Sequence, residues 1–188
     1  MGGKLEGKVV LITGASSGIG AATAQVLVEE GARVAVTARR VDRLEELRTQ
    51  LGVDASRFLA IGADVREQGD AQRMLEETFA WGGRLDVLIN NAGLSRGSSL
   101  ETTPVEDIDL MLDTNVFALI NLTRLALPAI RAAQGDIVNV ASTIAKSFAP
   151  GSSVYGATKA AVVGFSESLR KEVLETGVRG VTVYPGLV

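Results

Sequence analysis

The chain has 188 residues, of which 46% are hydrophobic and 22% charged, so it is long and apolar enough for one domain with a substantial core. Its net charge is −3 with acids and bases interspersed, which indicates neither nucleic acid nor a membrane surface as a partner. The absence of cysteine and histidine excludes disulfides, thiolate nucleophiles, histidine bases and the usual zinc ligand sets, so we expect no metal site. No apolar run approaches a membrane span and no signal-peptide core is present, so we expect a cytoplasmic protein.

The first elements predict a nucleotide-binding loop. Val9 to Thr13 is a β-branched run typical of a parallel strand buried on both faces, and a helix should follow from Ala21 to Glu30. The glycine-rich turn between them has the spacing G-x-x-x-G-x-G, which differs from the common fingerprint G-x-G-x-x-G. Such a turn alone can be structural, but its position before a helix favours pyrophosphate binding by free N–H groups. The candidate contacts are Gly14, Ser16, Ser17, Gly18, Ile19 and Gly20.

Two arginines follow the second predicted strand, Arg33 to Thr37, where such folds contact the adenosine ribose. Arg39 and Arg40 favour NADP, because an arginine accommodates the 2′-phosphate, whereas NAD enzymes use an acidic residue at about this distance. Two alternatives stay open: the arginines are solvated charges at a helix start, or Asp42 makes the protein bind NAD.

The third predicted strand ends at a further candidate contact. An amphipathic helix from Val41 to Leu51 precedes the strand Arg57 to Ala63, which is followed by Asp64 and Val65. Open α/β sheets bind ligands at the carboxyl ends of their strands. Asp64 is therefore either an adenine contact or the cap of the third helix, Glu67 to Ala80.

The fourth predicted strand, Leu85 to Ile89, runs into the small and amide-rich segment Asn90 to Gly93. A flat ring could lie against the backbone there, so Asn91, Ala92 and Gly93 are candidate cofactor contacts.

Thr103 and Glu106 fit a capping box, with Pro104 at the first position of a long helix that reaches about Ala133. This helix is apolar over most of its circumference, so it needs burial on more than one side. Asn115 lies inside it, where an unpartnered amide would cost about 1 to 3 kcal/mol.

The fifth predicted strand, Gly135 to Ala141, ends at Ser142, and a second long helix, Ser153 to Thr176, carries Tyr155 and Lys159. These two side chains are four residues apart and share one helix face, where an ammonium at about 4 Å would favour the phenolate by about 4 kcal/mol before screening. An ordinary helix-face pair is the alternative when this spacing occurs alone.

A sixth strand, Gly180 to Tyr184, leads to Pro185 and Gly186, and the sequence ends at Val188. Strands alternate with helices throughout, without repeat or linker, which predicts a single domain over residues 1–188. The predicted fold is a doubly wound parallel α/β sheet, a Rossmann fold, with strand order 3-2-1-4-5-6.

Taken together, these motifs resemble the short-chain dehydrogenase/reductase family over essentially the whole chain. The segments that carry the resemblance are TGASSGIG at 13–20, Asp64, NNAG at 90–93, Asn115, Ser142, YGATK at 155–159 and YPG at 184–186. The resemblance implies hydride transfer between a nicotinamide and a carbonyl or secondary alcohol. Tyr155 would then be the general acid/base, Ser142 would bind the substrate oxygen, Lys159 would favour the phenolate while holding the nicotinamide ribose, and Asn115 would position Lys159 through a water.

Two departures from the family pattern stand out. Members that prefer NADP often carry a basic residue where this chain has Ser17. Members also usually continue past the Pro-Gly turn into a substrate loop and a seventh strand, and a cofactor contact is normally made near Val188. We therefore expect the sixth strand to be covered by another chain or by further residues, and little reductase activity from these 188 residues. A nucleotide-binding but catalytically silent protein, regulatory or structural, is the alternative function.

The apolar helices 104–133 and 153–176 predict self-association. Each is apolar on more faces than one sheet can cover, so we expect a homodimer that pairs them in a four-helix bundle, or a homotetramer built from two such pairs.

Overall fold

The computed structural model describes residues 3–186. Within this range the strands form one parallel sheet in the order β3-β2-β1-β4-β5-β6, which confirms the predicted doubly wound α/β fold and its strand order. The strands are β1 Val9–Thr13, β2 Arg33–Ala38, β3 Phe58–Gly62, β4 Val87–Asn90, β5 Asp136–Val140 and β6 Arg179–Val183.

Helices cover both faces of the sheet. On one face, Ala24 and Leu44 from the first two helices pack against β1 and β2, and on the other face Met74, Leu122 and Leu169 pack against the central strands. The helices are α1 Gly18–Glu29, α2 Val41–Leu51, α3 Gln68–Gly82, α4 Val105–Leu112, α5 Ala118–Ala133, α6 Ile144–Ser147 and α7 Ser153–Glu172. Since all five residues of β1 are buried, its uninterrupted apolar run is explained by helices on both sides.

The strand order places the ligand site. β1 pairs with β2 on one side and with β4 on the other, so the connections that leave these strands run in opposite directions. A crevice therefore opens at the carboxyl ends of β1 and β4, the topological switch point at which open α/β sheets bind ligands.

The predicted long helix has the expected limits but two unexpected features. Its helical residues run continuously from Val105 to Ala133, but a five-residue π turn, Asp113–Phe117, separates α4 from α5. The predicted capping box is wrong, because Pro104 occupies the N-cap position and no side chain caps the helix. The hydroxyl of Thr103 instead donates to the carbonyl oxygen of Ser99 at 2.8 Å.

The same helical segment is unusually apolar. An 18-residue window of Val105–Ala133 has a mean hydropathy of 1.4, enough by length and composition to cross a membrane, and 33% of the window is buried. On that criterion the helix departs from the expectation that no segment approaches a membrane span. In this fold, however, Leu122, Ala126 and Ile130 lie in the same core as Leu88 and Ile137 of the sheet.

The last described strand, β6, lies at the edge of the sheet next to β5. Val181 and Val183 on this strand expose 44% and 37% of their surface. The expectation that this edge is covered by another chain or by further residues stays a prediction.

Candidate active site

A cleft of about 670 Å³ lies at the carboxyl ends of the strands, and its lining includes every predicted cofactor contact that the structure describes. Val188, the remaining one, lies outside the described residues. The predicted residues that line the cleft are Gly14, Ser16, Ser17, Gly18, Ile19, Gly20, Arg39, Arg40, Asp64, Val65, Asn91, Ala92, Gly93, Ser142, Tyr155, Lys159, Pro185 and Gly186. Among the described residues no group of three acidic, histidine or cysteine side chains is placed to hold a metal ion.

The glycine-rich loop is packed against the end of β4, which explains two of its glycines. Gly14 has φ +69°, and a Cβ on it would lie 2.7 Å from the Cα of Ala92. A Cβ on Gly20 would lie 2.5 Å from the side-chain nitrogen of Asn91, which donates to the carbonyl oxygens of Thr13 and Gly14 at 2.9 and 3.1 Å. Any larger side chain at either glycine would therefore push the loop off β4.

The start of α1 is open to the cleft. Ser17 is the N-cap residue, but its side chain makes no capping hydrogen bond, and the first residues of α1, Gly18 to Gly20, line the cleft. Unsatisfied N–H groups at a helix start, with the positive end of the helix dipole, form a site for an anion such as a pyrophosphate. The residues present thus fit the phosphates of a dinucleotide.

Arg40 closes one end of the cleft. Its guanidinium donates to the hydroxyl of Ser16 at 3.0 Å and to that of Ser17 at 3.3 Å, while Arg39 lines the same region. Asp42, the residue that would favour NAD, belongs to the first turn of α2 and is not part of the cleft lining. Ser17 stands where family members that prefer NADP often carry a basic residue. Arg40 therefore places a positive charge beside that position.

Asp64 is not the cap of the third helix, because Glu67 occupies that N-cap position. Its carboxylate instead pairs with Arg66 through Nε at 3.0 and 3.2 Å and through a terminal nitrogen at 2.6 Å. The hydrogen bonds from Arg66 hold the pKa of Asp64 below its ordinary value, and Arg39 adds a smaller electrostatic contribution. Asp64 therefore presents an ionised carboxylate to the cleft.

Tyr155 and Lys159 lie at the opposite end of the cleft, on one face of α7. The ammonium of Lys159 is 5.9 Å from the centre of the Tyr155 ring and donates to the carbonyl oxygen of Val140 at 2.8 Å. Lys159 is only 4% exposed, and this burial lowers its pKa from 10.5 to about 8. Ser142 follows β5 on the same side of the cleft, and its hydroxyl accepts a hydrogen bond from the backbone of Ile144 at 3.3 Å.

Asn115 lies behind the cleft, inside the π turn, with 1% of its surface exposed. Its side chain exchanges two hydrogen bonds with the backbone of Leu94, at 2.8 and 2.9 Å, and donates to the hydroxyl of Thr158 at 3.0 Å. The buried amide is therefore fully partnered, and its direct contact on α7 is the neighbour of Lys159. A Cβ on Gly93 would lie 3.2 Å from Oδ1 of Asn115 and 3.4 Å from the ammonium of Lys159.

A chain of buried side chains lies beneath the site and was not predicted. The amide nitrogen of Asn90 donates to the hydroxyl of Thr123 at 2.9 Å and to the amide oxygen of Asn139 at 2.8 Å. Asn139 in turn donates to the hydroxyl of Ser166 at 2.9 Å. These four residues are each at most 5% exposed, and they connect β4 and β5 to α5 and α7. α7 carries Tyr155 and Lys159, and β5 ends shortly before Ser142.

Sequence reasoning also missed part of the cleft lining. Arg66, Leu94, Ser95 and Thr114 contribute to it beside the predicted contacts. The aspartate gave a partial signal for Arg66, because an Asp side chain commonly accepts from the backbone N–H two residues on, as Asp64 does from Arg66 at 3.1 Å. Leu94 and Ser95 simply extend the NNAG segment, whereas Thr114 reaches the cleft only through the π turn.

The fold and this arrangement of residues define a class of proteins, the Rossmann-fold oxidoreductases in which a Tyr-x-x-x-Lys pair faces the nucleotide cleft. The family model for short chain dehydrogenases matches residues 8–188, and the chain belongs to this family.

Relatives and solved structures agree with this assignment. The chain is 40% identical over 182 residues to the NADP-dependent 3-hydroxy acid dehydrogenase YdfG of Salmonella typhi, covering 96% of this chain and 72% of the relative. It is 43% identical over 190 residues to 11-beta-hydroxysteroid dehydrogenase 1A of Arabidopsis thaliana, covering 98% of this chain but only 53% of that protein. The crystal structure of 3-ketoacyl-(acyl-carrier-protein) reductase from Brucella melitensis complexed with NADH matches with a TM-score of 0.93 at 32% identity, covering 97% of this chain and 77% of that one.

Proposed function

We propose that this protein is an NADP-dependent oxidoreductase that transfers a hydride between the nicotinamide and a carbonyl or secondary alcohol, and that one domain carries both the cofactor and the catalytic residues. The observation that carries the proposal is the cleft itself. The start of α1 lies along it, Tyr155, Lys159 and Ser142 line its far end, and four basic side chains belong to its lining: Arg39, Arg40, Arg66 and Lys159. The alternative is a nucleotide-binding protein without catalysis. The joint presence of Asn115, Ser142, Tyr155 and Lys159 argues against it, because a silent protein has no need of all four.

The preference for NADP rests on Arg39, Arg40 and the two serines of the loop. The guanidinium of Arg40 lies 3.0 and 3.3 Å from the hydroxyl groups of Ser16 and Ser17, and Arg40 forms no ion pair among the described residues. A 2′-phosphate bound there would gain charge-assisted hydrogen bonds from both arginines. The relative from Salmonella typhi is named as NADP-dependent, and the solved structure from Brucella melitensis is a complex with NADH. Both nucleotides therefore occur among similar proteins, so the preference of this chain is inferred from the residues of its own cleft.

The nicotinamide, when bound, supplies or accepts the hydride. Tyr155 donates a proton to the substrate oxygen in reduction and accepts it in oxidation, and the hydroxyl of Ser142 holds that oxygen in place. The ammonium of Lys159, which is charged below about pH 8, favours the phenolate that forms as Tyr155 gives up its proton. Asn115 fixes α7 against the NNAG segment, which sets the position of Lys159.

We also propose that two copies of the chain pair through α5 and α7. The outer face of the helical segment 105–133 exposes Leu112 of α4 at 44%, Phe117 of the π turn at 59% and Ile120 of α5 at 37%. α7 exposes the small residues Ala157, Ala161 and Gly164, which permit close approach of another helix. A second copy would bury both faces in the predicted four-helix bundle. The cytoplasmic location stays a prediction.

Cofactor binding is tested by titrating NADPH and NADH against the purified chain and recording nicotinamide fluorescence. We expect NADPH to bind more tightly, because the pairing of Arg39 with the 2′-phosphate contributes about 1.5 to 3 kcal/mol. Arg39→Ala should weaken NADPH binding by about tenfold or more and leave NADH nearly unchanged. Equal losses for both nucleotides would remove the basis for the preference.

Catalysis is tested by following NADPH absorbance over a panel of ketones with the parent chain and Tyr155→Phe. The low turnover expected from the sequence concerns the absolute rate, so the informative quantity is the ratio between parent and variant. For any ketone that the parent chain reduces measurably, Tyr155→Phe should retain NADPH binding and lose at least a hundredfold in rate. A rate that survives in Tyr155→Phe would refute the role of the tyrosine, and NADPH binding without turnover in the parent would favour the catalytically silent alternative.

A further inference from the structure

Asn139 is a buried amide on β5 that lies next to the attachment point of the candidate catalytic lysine. It is 2% exposed, and its side chain lies on the same face of the sheet as that of Ile137, the face that α5 and α7 cover. The next residue, Val140, provides the backbone oxygen to which the ammonium of Lys159 donates at 2.8 Å. Any contact that fixes Asn139 relative to α7 therefore bears on the position of Lys159.

The amide of Asn139 is engaged at both ends. Its oxygen accepts from the side chain of Asn90 on β4 at 2.8 Å, and its nitrogen donates to the hydroxyl of Ser166 on α7 at 2.9 Å. Ser166 is 5% exposed and donates to the carbonyl oxygen of Val162 within its own helix at 2.7 Å. Because a buried polar group without a partner is unfavourable, these contacts resist any movement of α7 away from β5.

Ser166 and Lys159 lie on the same face of α7. They are two helical turns apart, which is about 10 Å along the helix axis. The hydrogen bond from Asn115 to Thr158 holds α7 next to Lys159, and the contact of Ser166 with β5 holds it at a second point two turns away. Attachment at two points fixes the tilt of a helix as well as its position, so the bond to Ser166 limits how far Lys159 can move from β5.

The pKa of Lys159 reports how closely α7 is held. The side chain is 4% exposed, and this burial lowers its pKa from 10.5 to about 8. Tyr155 is the titratable side chain that faces it, with its ring centre 5.9 Å from the ammonium, and Lys159 takes part in no ion pair among the described residues. Entry of water between α7 and β5 would hydrate the ammonium and raise its pKa toward the ordinary value.

We propose that Asn139 is a positioning residue: through Ser166 it holds α7 against β5, which keeps the ammonium of Lys159 in place. This inference rests on the proposed function, because it takes from there the role of Lys159 beside Tyr155. Asn139 is not part of the cleft lining and is assigned no contact with nucleotide or substrate. The alternative is that these buried contacts only stabilise the fold, in which case their loss would leave the surroundings of Lys159 unchanged.

NMR titration of the protein, isotopically labelled at the ε carbons of lysine, follows the ammonium directly and needs neither nucleotide nor turnover. The chain has five lysines, and Lys159→Met identifies the signal of Lys159. In the parent this signal should titrate at about pH 8. In Ser166→Ala and Asn139→Leu the midpoint should rise by at least about half a pH unit, whereas Ser166→Thr, which keeps the hydroxyl, should retain the parent midpoint. Ser166→Ala is the smaller change and decides the question if Asn139→Leu does not fold.

Thr123→Val is the matched control, because Thr123 also accepts from Asn90 but lies on α5 instead of α7. It should lower the free energy of unfolding in urea and leave the midpoint of Lys159 unchanged. A parent midpoint near 10.5, an unchanged midpoint in Ser166→Ala or Asn139→Leu, or an equal rise in Thr123→Val would overturn the positioning role and leave nucleotide binding intact. Failure of the parent to bind NADPH in a separate fluorescence titration would instead refute the proposed function, and with it the catalytic purpose of the positioning.

Discussion

Replacing Lys159 with methionine is expected to change how the stability of the protein depends on pH. The side chain is 4% exposed, and burial lowers its pKa from 10.5 to about 8. The unfolded chain therefore holds this proton more tightly than the folded protein does between about pH 8 and 10.5. In that window the unfolded state binds more protons, so the parent gains stability relative to the variant as the pH rises.

The size of the effect follows from the shift. A difference of about 2.5 pKa units corresponds to about 3 kcal/mol in total, of which about 2.5 kcal/mol is recovered between pH 7 and pH 10. The methionine variant loses the hydrogen bond from Lys159 to the carbonyl oxygen of Val140, and an unpaired buried carbonyl costs about 1 to 3 kcal/mol. At pH 7 these two contributions to stability oppose each other, so the variant should be up to about 2 kcal/mol more stable than the parent, although it loses the ammonium proposed to act on Tyr155.

Urea unfolding at pH 7, 8, 9 and 10 measures the free energy of unfolding for parent and variant. Because the other titrating groups are common to both proteins, their contributions cancel in the difference. Lys171→Met, which removes an exposed lysine from the end of the same helix, is the control. A difference between parent and Lys159→Met that stays flat from pH 7 to pH 10 would show that the ammonium is not held in a desolvated position, and the reasoning about its burial would fail.

Two further predictions concern the helices. Phe117→Glu places a charge on the most exposed apolar residue of the π turn and should convert a dimer to a monomer in light scattering at micromolar concentration; a monomeric parent chain would contradict the proposed pairing. Ser166→Ala removes the acceptor of Asn139 and should lower the free energy of unfolding by about 1 to 3 kcal/mol in urea titrations. Thr78→Val is the control, because it also removes a buried hydroxyl that donates within its own helix, but no second element donates to that hydroxyl. It should lower the free energy of unfolding by less than Ser166→Ala does. Equal losses would show that the hydrogen bond from Asn139 adds no stability.

The strands could be predicted from the sequence because parallel strands covered on both faces need uninterrupted apolar runs. β1 was predicted with its observed limits, and the other strands differ from prediction by one or two residues at their ends. The order of the strands followed from the alternation of strands and helices together with the glycine-rich loop at the first turn.

The interruption of the long helix could not be predicted in the same way. Hydrophobic periodicity shows that residues 105–133 are helical, but a π turn changes the periodicity over only one turn. The capping box failed because Thr103 is used in the preceding loop, where its hydroxyl also contacts that of Ser98 at 2.7 Å. Local sequence rules cannot show which of two competing partners a threonine hydroxyl will take.

The candidate site was predicted where short motifs carry it and missed where it depends on contacts between distant segments. Asn115 was recognised as an amide that needed a partner, but Leu94 and Thr158 could be identified only from the folded chain. The contact between Asn139 and Ser166 joins residues 27 apart in sequence, and neither lies in a motif that indicates catalysis.

The partners of Asn115 explain why a polar residue lies in so apolar a helix. Its amide pairs with both backbone groups of Leu94, as a neighbouring strand would, and so pins the π turn to the segment that follows β4. The hydroxyl of Thr158 accepts from Asn115 and donates to the backbone carbonyl of Tyr155 at 2.8 Å, and the next residue, Lys159, reaches across to β5. Each link is a hydrogen bond that is buried or partly buried, and leaving either partner unpaired there is unfavourable. The placement of Tyr155 and Lys159 is therefore tied to one buried amide, because a shift of α7 that separated Lys159 from β5 would also break the hydrogen bond between Asn115 and Thr158.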